Sequence, residues 1–269
     1  MNIIKSYNES CHHEPSFKTQ LLREWTIESK NILFQWCFKL IFKQLGDPIQ
    51  ILDLACGKGG DLHKWNILRS KVSPQQFIWH GLDFSIDSVH EANRRLKNYS
   101  GFAESSYAVE FDISNNYFIN DRPIHIYDIC SFQMSLNYFC GSEDQLAPIF
   151  QNISLALKHH GVCVMTFMDC SSLLTRTENH WPSIGTHITW INDQQYSLNM
   201  EGSISNCIES IPCIKSIITQ AREFDLDVIR YEPLNELIIP IDLTYSLDII
   251  QETKHWWSFY RGLVFIKKN

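Results

Sequence analysis

Acidic residues mark the ends of three successive apolar runs: Asp53 in Ile49 to Leu54, Asp83 after Phe77 to Leu82, and Asp112 after Tyr107 to Phe111. Directly after the first run comes Ala55-Cys56-Gly57-Lys58-Gly59-Gly60-Asp61, whose glycines let a ligand approach the backbone. In α/β folds ligands bind in the crevice at the carboxyl ends of the strands, so the loop and the three acids would share one edge. An acid closing the second strand can accept from two vicinal ribose hydroxyls, and Asp112 suits an adenine amino group. The spacing is neither Gly-x-Gly-x-x-Gly nor the phosphate loop that ends in Gly-Lys-Ser/Thr, which disfavours a dinucleotide or a nucleoside triphosphate. Three acids on one edge repel pyrophosphate but attract a cationic nucleoside, of which S-adenosylmethionine with its sulfonium is an example.

The elements that must position these groups follow from hydrophobic period. From Leu21 to Leu45, Leu22, Trp25, Leu33, Trp36 and Leu40 recur at spacings of three and four, as on a helix that packs one face, and Gly46-Asp47-Pro48 ends it. A buried strand is expected over Ile49 to Leu54, and a helix from about Asp61 follows the glycine loop. Strand-like runs at Phe77 to Leu82, Tyr107 to Phe111, Ile124 to Phe132 and Val162 to Met168 alternate with helical patterns at Ile86 to Leu96 and Glu143 to Leu157. That alternation predicts βαβ units and a doubly wound, mostly parallel sheet. Asp169 to Asn199 reads as an inserted region of strands and loops; a helix at Cys213 to Glu223 and strands at Leu226 to Tyr231 and Leu263 to Lys267 complete an elaborated C-terminal half. No repeat and no linker rich in Pro, Gly and Ser divides the chain, so residues 1–20 are expected as a mobile arm and 21–269 as a single domain.

Composition excludes several classes of function. The 269 residues are 44% hydrophobic and 20% charged, which rules out a disordered tail or a coiled coil. A net charge of -7 lacks the overall positive field of a protein that wraps nucleic acid, so any polyanion must be met by a local basic patch, for which Lys58, Lys64, Arg94 and Arg95 are candidates. No run approaches the ~20 apolar residues needed to span a bilayer, and no membrane partner is expected. The nine cysteines form no Cys-x-x-Cys pair and read as reduced, buried thiols of an intracellular protein, with the cytoplasm preferred to the nucleus. Cys11-His12-His13-Glu14 carries metal-ligand atoms but has no second pair at zinc-finger spacing, so no metal is expected.

The stretch Ile51-Leu52-Asp53-Leu54-Ala55-Cys56-Gly57-Lys58-Gly59-Gly60-Asp61-Leu62-His63-Lys64-Trp65 resembles the signature of the mRNA cap (guanine-N7) methyltransferases. Tyr127 to Phe139 is similar to that family's fourth-strand segment. Asn206-Cys207-Ile208-Glu209 is similar to the stretch whose glutamate grips guanine, and Tyr260 with Val264-Phe265 is similar to its last tyrosine and strand. Asn137 stands where the family has a histidine. Met168 replaces a proline of cellular members, with a similar Thr-x-Met-Asp in members from large cytoplasmic DNA viruses. Lys30-Asn31 and Gln35 faintly echo the family's donor-contacting helix start.

The resemblance implies a Rossmann-like class I methyltransferase that moves a methyl group from S-adenosylmethionine to N7 of the cap guanine. Asp53, Gly57, Lys58, Gly59, Asp61, Asp83, Asp112 and Gln133 would surround the donor, and Asn137, Tyr138, Glu209 and Tyr260 the guanine, with the Asn137 amide donating to a guanine oxygen. The implied partners are the capped 5′ end of mRNA and a triphosphatase, a guanylyltransferase or an activating subunit. Guanine N7 bears no proton, so positioning suffices and no catalytic acid or base is expected. Two other readings stay open: a methyltransferase of the same fold acting on a small molecule or another nucleic-acid atom, and a non-catalytic subunit that keeps the fold.

Overall fold

The computed structural model describes residues 17–41, 48–72, 76–114, 124–173, 186–201, 204–237 and 247–268. Helix α1 spans Phe17–Ile41, beginning inside the stretch expected as a mobile arm. The Cys11 to Glu14 run and residues 42–47 lie outside the described residues. Next come β1 (Ile49–Leu54), α2 (Leu62–Val72), β2 (Phe77–Asp83), α3 (Ile86–Leu96), β3 (Tyr107–Glu110), β4 (Tyr127–Gln133), α4 (Glu143–Ala156) and β5 (Leu157–Met168). The remainder is β6 (Thr186–Asn192), β7 (Gln195–Met200), β8 (Ile204–Ser210), α5 (Ile214–Glu223), β9 (Leu226–Pro233), α6 (Leu247–Trp257) and β10 (Tyr260–Lys267).

Seven strands form one sheet in the order β3-β2-β1-β4-β5-β10-β9. The first five run parallel, and β10 lies antiparallel between β5 and β9. The doubly wound sheet expected from the alternating pattern is therefore present. Its central strands are near-continuous apolar runs because helices cover both faces, and β1 keeps five of its six residues buried. On one face Phe34 of α1 stacks on Trp65 of α2 with centroids 4.0 Å apart, above Ile51, Trp79 and Val164. On the other, Ile149 and Phe150 of α4 pack against Leu52, Phe132, Met165 and Phe265. Strand order reverses between β1 and β4, so the carboxyl ends of those two strands open a crevice.

Several boundaries differ from expectation, β4 among them, which spans Tyr127–Gln133 instead of Ile124 to Phe132. β5 begins at Leu157 rather than Val162, and the helix before it stops at Ala156; His160 adopts φ 62 inside this strand. β10 begins at Tyr260, three residues before the expected start, because its pairing with β5 runs on to Tyr260 opposite Met168. Helix α6 had not been expected; it buries Trp256 and Trp257, the latter against Trp25 of α1 at 5.1 Å.

The inserted region forms a second, antiparallel sheet in the order β6-β7-β8. It packs against a 3₁₀ turn, Leu136–Tyr138, that follows β4. Among the described residues the cysteines are free thiols, all buried except Cys213. No helix among them is long and apolar enough to cross a membrane.

Gly81 of β2 leaves room for the edge of Trp79 and for Cys56, whose Sγ a Cβ at this position would meet at 2.8 Å. Neither neighbour is free to retreat, since both are buried. Gly81→Ala should lower the unfolding free energy by about 1–3 kcal/mol, seen as a lower midpoint in urea at unchanged slope. A midpoint equal to the parent's would show that the contact relaxes without cost.

Candidate functional site

A cavity of about 720 Å³ opens at the carboxyl ends of β1 and β4, between α1, the glycine loop and the small sheet. Its floor is the loop after β1, built on residues in the left-handed region: Ala55 (φ 51), Gly57 (φ 53) and Gly59 (φ 70). Gly59 is needed twice over. Its φ disfavours any side chain, and a Cβ would meet Leu62 Cδ1 at 2.7 Å and Ala92 of α3 at 3.3 Å. The loop is held by Cys56 N, which donates to Leu82 O at 3.0 Å, and by Gly57 N, which donates to Asp83 Oδ2 at 2.8 Å.

Of the side chains expected around a methyl donor, Asp53, Lys58, Asp61 and Gln133 line this cavity together with Gly57 and Gly59. Asp83 and Asp112 are not among its lining residues. Asp83 is buried, with its second oxygen accepting from Ser85 N at 2.9 Å, so it clamps the loop to the start of α3 instead of standing on the cavity wall. Asp112 is half-buried and accepts from Ser114 N at 2.9 Å and Ser114 Oγ at 2.6 Å, closing a turn after β3. Strand-end spacing located both acids but not the direction of their side chains.

Asp61 is buried between two cations, Lys64 Nζ at 2.6 Å and Lys30 Nζ at 3.3 Å. Burial pushes its carboxyl up, but the two lysines outweigh that and hold it well below the usual range. Asp53 has the opposite balance. Burial and then the charge of Asp61 push it up, against a hydrogen bond from Ser131, the more distant charge of Lys30 and the indole of Trp79, whose Nε1 lies 3.3 Å away. Gln133 is committed to β5: its Nε2 donates to Val164 O at 2.9 Å and its Oε1 accepts from Thr166 Oγ1 at 2.9 Å.

Asn137, Tyr138, Glu209 and Tyr260 line the same cavity. Glu209 of β8 is buried; Tyr196 OH donates to its Oε2 at 2.6 Å, and Tyr138 also donates to it. Burial nevertheless pushes Glu209 up to about 7. Tyr260 is buried at the start of β10, and desolvation raises its phenol further. Asn137 corrects an expectation. Its Nδ2 donates to Met168 O at 2.7 Å and approaches Tyr196 OH at 3.1 Å and Ser210 O at 3.2 Å, while its Oδ1 accepts from Met168 N at 3.1 Å. The amide is spent inside the protein, not offered to a ligand.

Sequence reasoning noted Lys30 as a faint echo of the family's donor-contacting helix start but missed the rest of the wall supplied by α1, where Thr19, Leu22, Arg23, Thr26, Ile27 and Lys30 face the cavity. Their spacing of three and one is a helical stripe and could have been found by period, but a polar stripe usually faces solvent. Arg95, for which a solvated helix residue was the favoured reading, also lines the cavity and Arg94 does not; both pair with Glu91 at 2.6 Å. Among the described residues no group of three His, Cys, Asp or Glu side chains could hold a metal.

Residues 9–240 match the family described as the mRNA (guanine-N(7))-methyltransferase domain. The mRNA cap guanine-N(7) methyltransferase 1 of Oryza sativa subsp. japonica is 24% identical over 257 residues, covering 86% of this chain and 64% of the relative. That of Schizosaccharomyces pombe is 23% identical over 208 residues, covering 71% and 56%. The chain thus spans 64% and 56% of the length of these two relatives. An S-adenosylmethionine-dependent methyltransferase from Clostridium acetobutylicum superposes with a TM-score of 0.62 at 15% identity over 93% of this chain and 96% of that one. One from Mesorhizobium loti gives 0.55 at 14% over 86% and 97%. These likenesses establish the Rossmann-like class I fold.

The raised carboxyl of Asp53 has a measurable consequence. Its proton is held more tightly in the native protein than in the unfolded chain, where the reference value is about 3.9. Stability is therefore lost as pH rises from about 4 through the raised native value. Asp53→Asn should stabilise the ligand-free protein at pH 8 by on the order of 1–3 kcal/mol, and much less at pH 5. Urea midpoints at the two pH values check this; an equal difference at both would remove the buried charge as its cause.

Proposed function

We propose that this chain, which belongs to the mRNA (guanine-N(7))-methyltransferase domain family, methylates N7 of the guanine that caps the 5′ end of mRNA, with S-adenosylmethionine as donor. The observation that carries the reading is that one cavity joins the glycine loop and the buried carboxylates Asp53 and Asp61 to the cluster of Glu209, Tyr138 and Tyr260. A cationic nucleoside fits the first half. Asp53 is buried beside the cavity with its proton affinity raised, so a positive group bound there stabilises the ionised carboxylate. The left-handed loop brings backbone close to whatever it cradles. When bound, the donor supplies an electrophilic methyl carbon on sulfur.

Guanine suits the second half. A carboxylate at Glu209 can accept from N1–H and the exocyclic amine together, while Tyr138 and Tyr260 offer rings against the base. The N7 lone pair is already nucleophilic, so these side chains need only hold it in line with the sulfur–methyl bond and exclude water, which can supply up to ~7–11 kcal/mol of the barrier. Arg23, Lys58 and Arg95 on the cavity wall suit the phosphates that follow the guanine. Reactions that remove a phosphate from the RNA end and add GMP to it must come first, which are those of a triphosphatase and a guanylyltransferase.

Incubation of GpppA-RNA with labelled donor, followed by nuclease digestion, should return the label as 7-methylguanine; label on a ribose or another base would replace this reading. Glu209→Gln should lower kcat/KM for capped RNA by about 2–4 kcal/mol of transition-state binding, because an amide then faces guanine donors. Donor affinity should be unchanged by calorimetry. Inosine-capped RNA, which lacks the amine, should react poorly with the parent, and that deficit should shrink in the variant. Equal turnover of the two caps by the parent would remove Glu209 from the guanine site.

A further inference from the structure

Tyr196 is wholly buried on β7, directly opposite Glu209 in the β7–β8 register, and is not part of the cavity wall. Its hydroxyl meets Asn137 and Glu209 in series, with the Cys170 thiol as a further hydrogen-bonding neighbour. The oxygen lies 3.1 Å from Asn137 Nδ2, and the hydroxyl donates to Glu209 Oε2 at 2.6 Å. The direction of this chain is set by backbone. Only Asn137 Oδ1 can accept from Met168 N, and only Nδ2 can donate to Met168 O, so the NH₂ end must face Tyr196. One amide hydrogen goes to Met168 O, and the other is shared between Tyr196 OH and Ser210 O. Since the phenol oxygen accepts from Asn137, its single proton is left for Glu209.

Resting on the function proposed above, we propose that Tyr196 is a positioning residue for substrate recognition: oriented by Asn137, it keeps Glu209 an ionised acceptor aimed at guanine N1–H and the 2-amino group. The need for such a residue is electrostatic. The titratable groups that act on Glu209 are Tyr138 from the turn after β4, Tyr196 from β7, Tyr260 from β10, and the thiols of Cys140 and Cys170. All of these are neutral acids, so the charged form of Glu209 depends on donated hydrogen bonds and not on a cation. Tyr138 lines the cavity, where a ligand can compete for its hydroxyl, whereas Tyr196 is enclosed and out of a ligand's reach. Asn137 acquires a role the sequence did not suggest: it acts on the substrate through Tyr196.

The test is the pH profile of kcat/KM for GpppA-RNA. In the parent the acid limb should fall near pH 7, where Glu209 takes up a proton. Tyr196→Phe keeps the ring and removes the donor, so the limb should move up by about one to two pH units. KM for capped RNA should then rise about tenfold or more at pH 7 and approach the parent's at pH 9, with donor affinity unchanged within about twofold. Tyr196→Met also removes the donor, fills the space with an adaptable apolar side chain and should move the limb in the same sense, which keeps the test open should Tyr196→Phe fail to fold. A loss equal at every pH, or an unmoved limb in the variant that folds, overturns the relay while leaving cap methylation standing. A parent that methylates no capped RNA at any pH overturns both.

Discussion

The carboxylate of Asp83 is the tie on which the cavity depends. It accepts from Gly57 N at 2.8 Å and Ser85 N at 2.9 Å, joining the loop after β1 to the end of β2 and the start of α3. Burial pushes this carboxyl up while the two backbone donors pull it down. Between those anchors the loop passes through Ala55, Gly57 and Gly59 at positive φ. For Ala55, which has a Cβ, that conformation costs about 1–2 kcal/mol. Such a loop persists only where its surroundings over-determine it, and here Asp83, Leu82 O and the approach of Ala92 to Gly59 do so. The loop in turn places Asp61 between Lys30 and Lys64, and that pairing draws α1 over the cavity.

Legibility in the sequence followed locality. β1, the glycine loop and β2 could be read because their signals, an apolar run broken by glycine and closed by an acid, lie within a few residues of one another. Asp83 and Asp112 were located by the same rule, yet the direction of a side chain at a strand end depends on which backbone donors it finds, and both found donors two residues ahead. The acceptor side was harder. Asn137 reaches partners 31, 59 and 73 residues away, so nothing near it in sequence distinguishes an amide held inside the protein from one presented to a ligand. Tyr196 lay in a region where strand and loop signals blurred, and its meaning appears only when β7 pairs with β8.

Two buried carboxylates on this cavity show how partners decide charge. Asp61 and Glu209 are similarly enclosed, at 8% and 5% exposure, and desolvation pushes both upward. Asp61 has two ammonium groups beside it and remains ionised across the physiological range. Glu209 has phenols, which stabilise the anion by hydrogen bonding alone and leave it up at about 7. Asp61 is therefore a permanent charge on the cavity, and Glu209 is one whose charge is completed by what binds.

That difference carries a specificity argument within the proposed function. A ligand that presents two N–H groups to Glu209 stabilises its anion, and guanine does so through N1–H and the amine. Adenine presents an unprotonated N1 at the same place, setting a lone pair against a buried carboxylate. Unpaired polar groups of this kind discriminate far more strongly than a missing methylene, because the wrong ligand leaves the protein's own buried acceptor unsatisfied. A lysine beside Glu209 would have kept it charged for any base and weakened that distinction. The phenols leave the carboxylate dependent on the base, so the energetic cost of burying Glu209 becomes a difference between ligands rather than a fixed loss of stability.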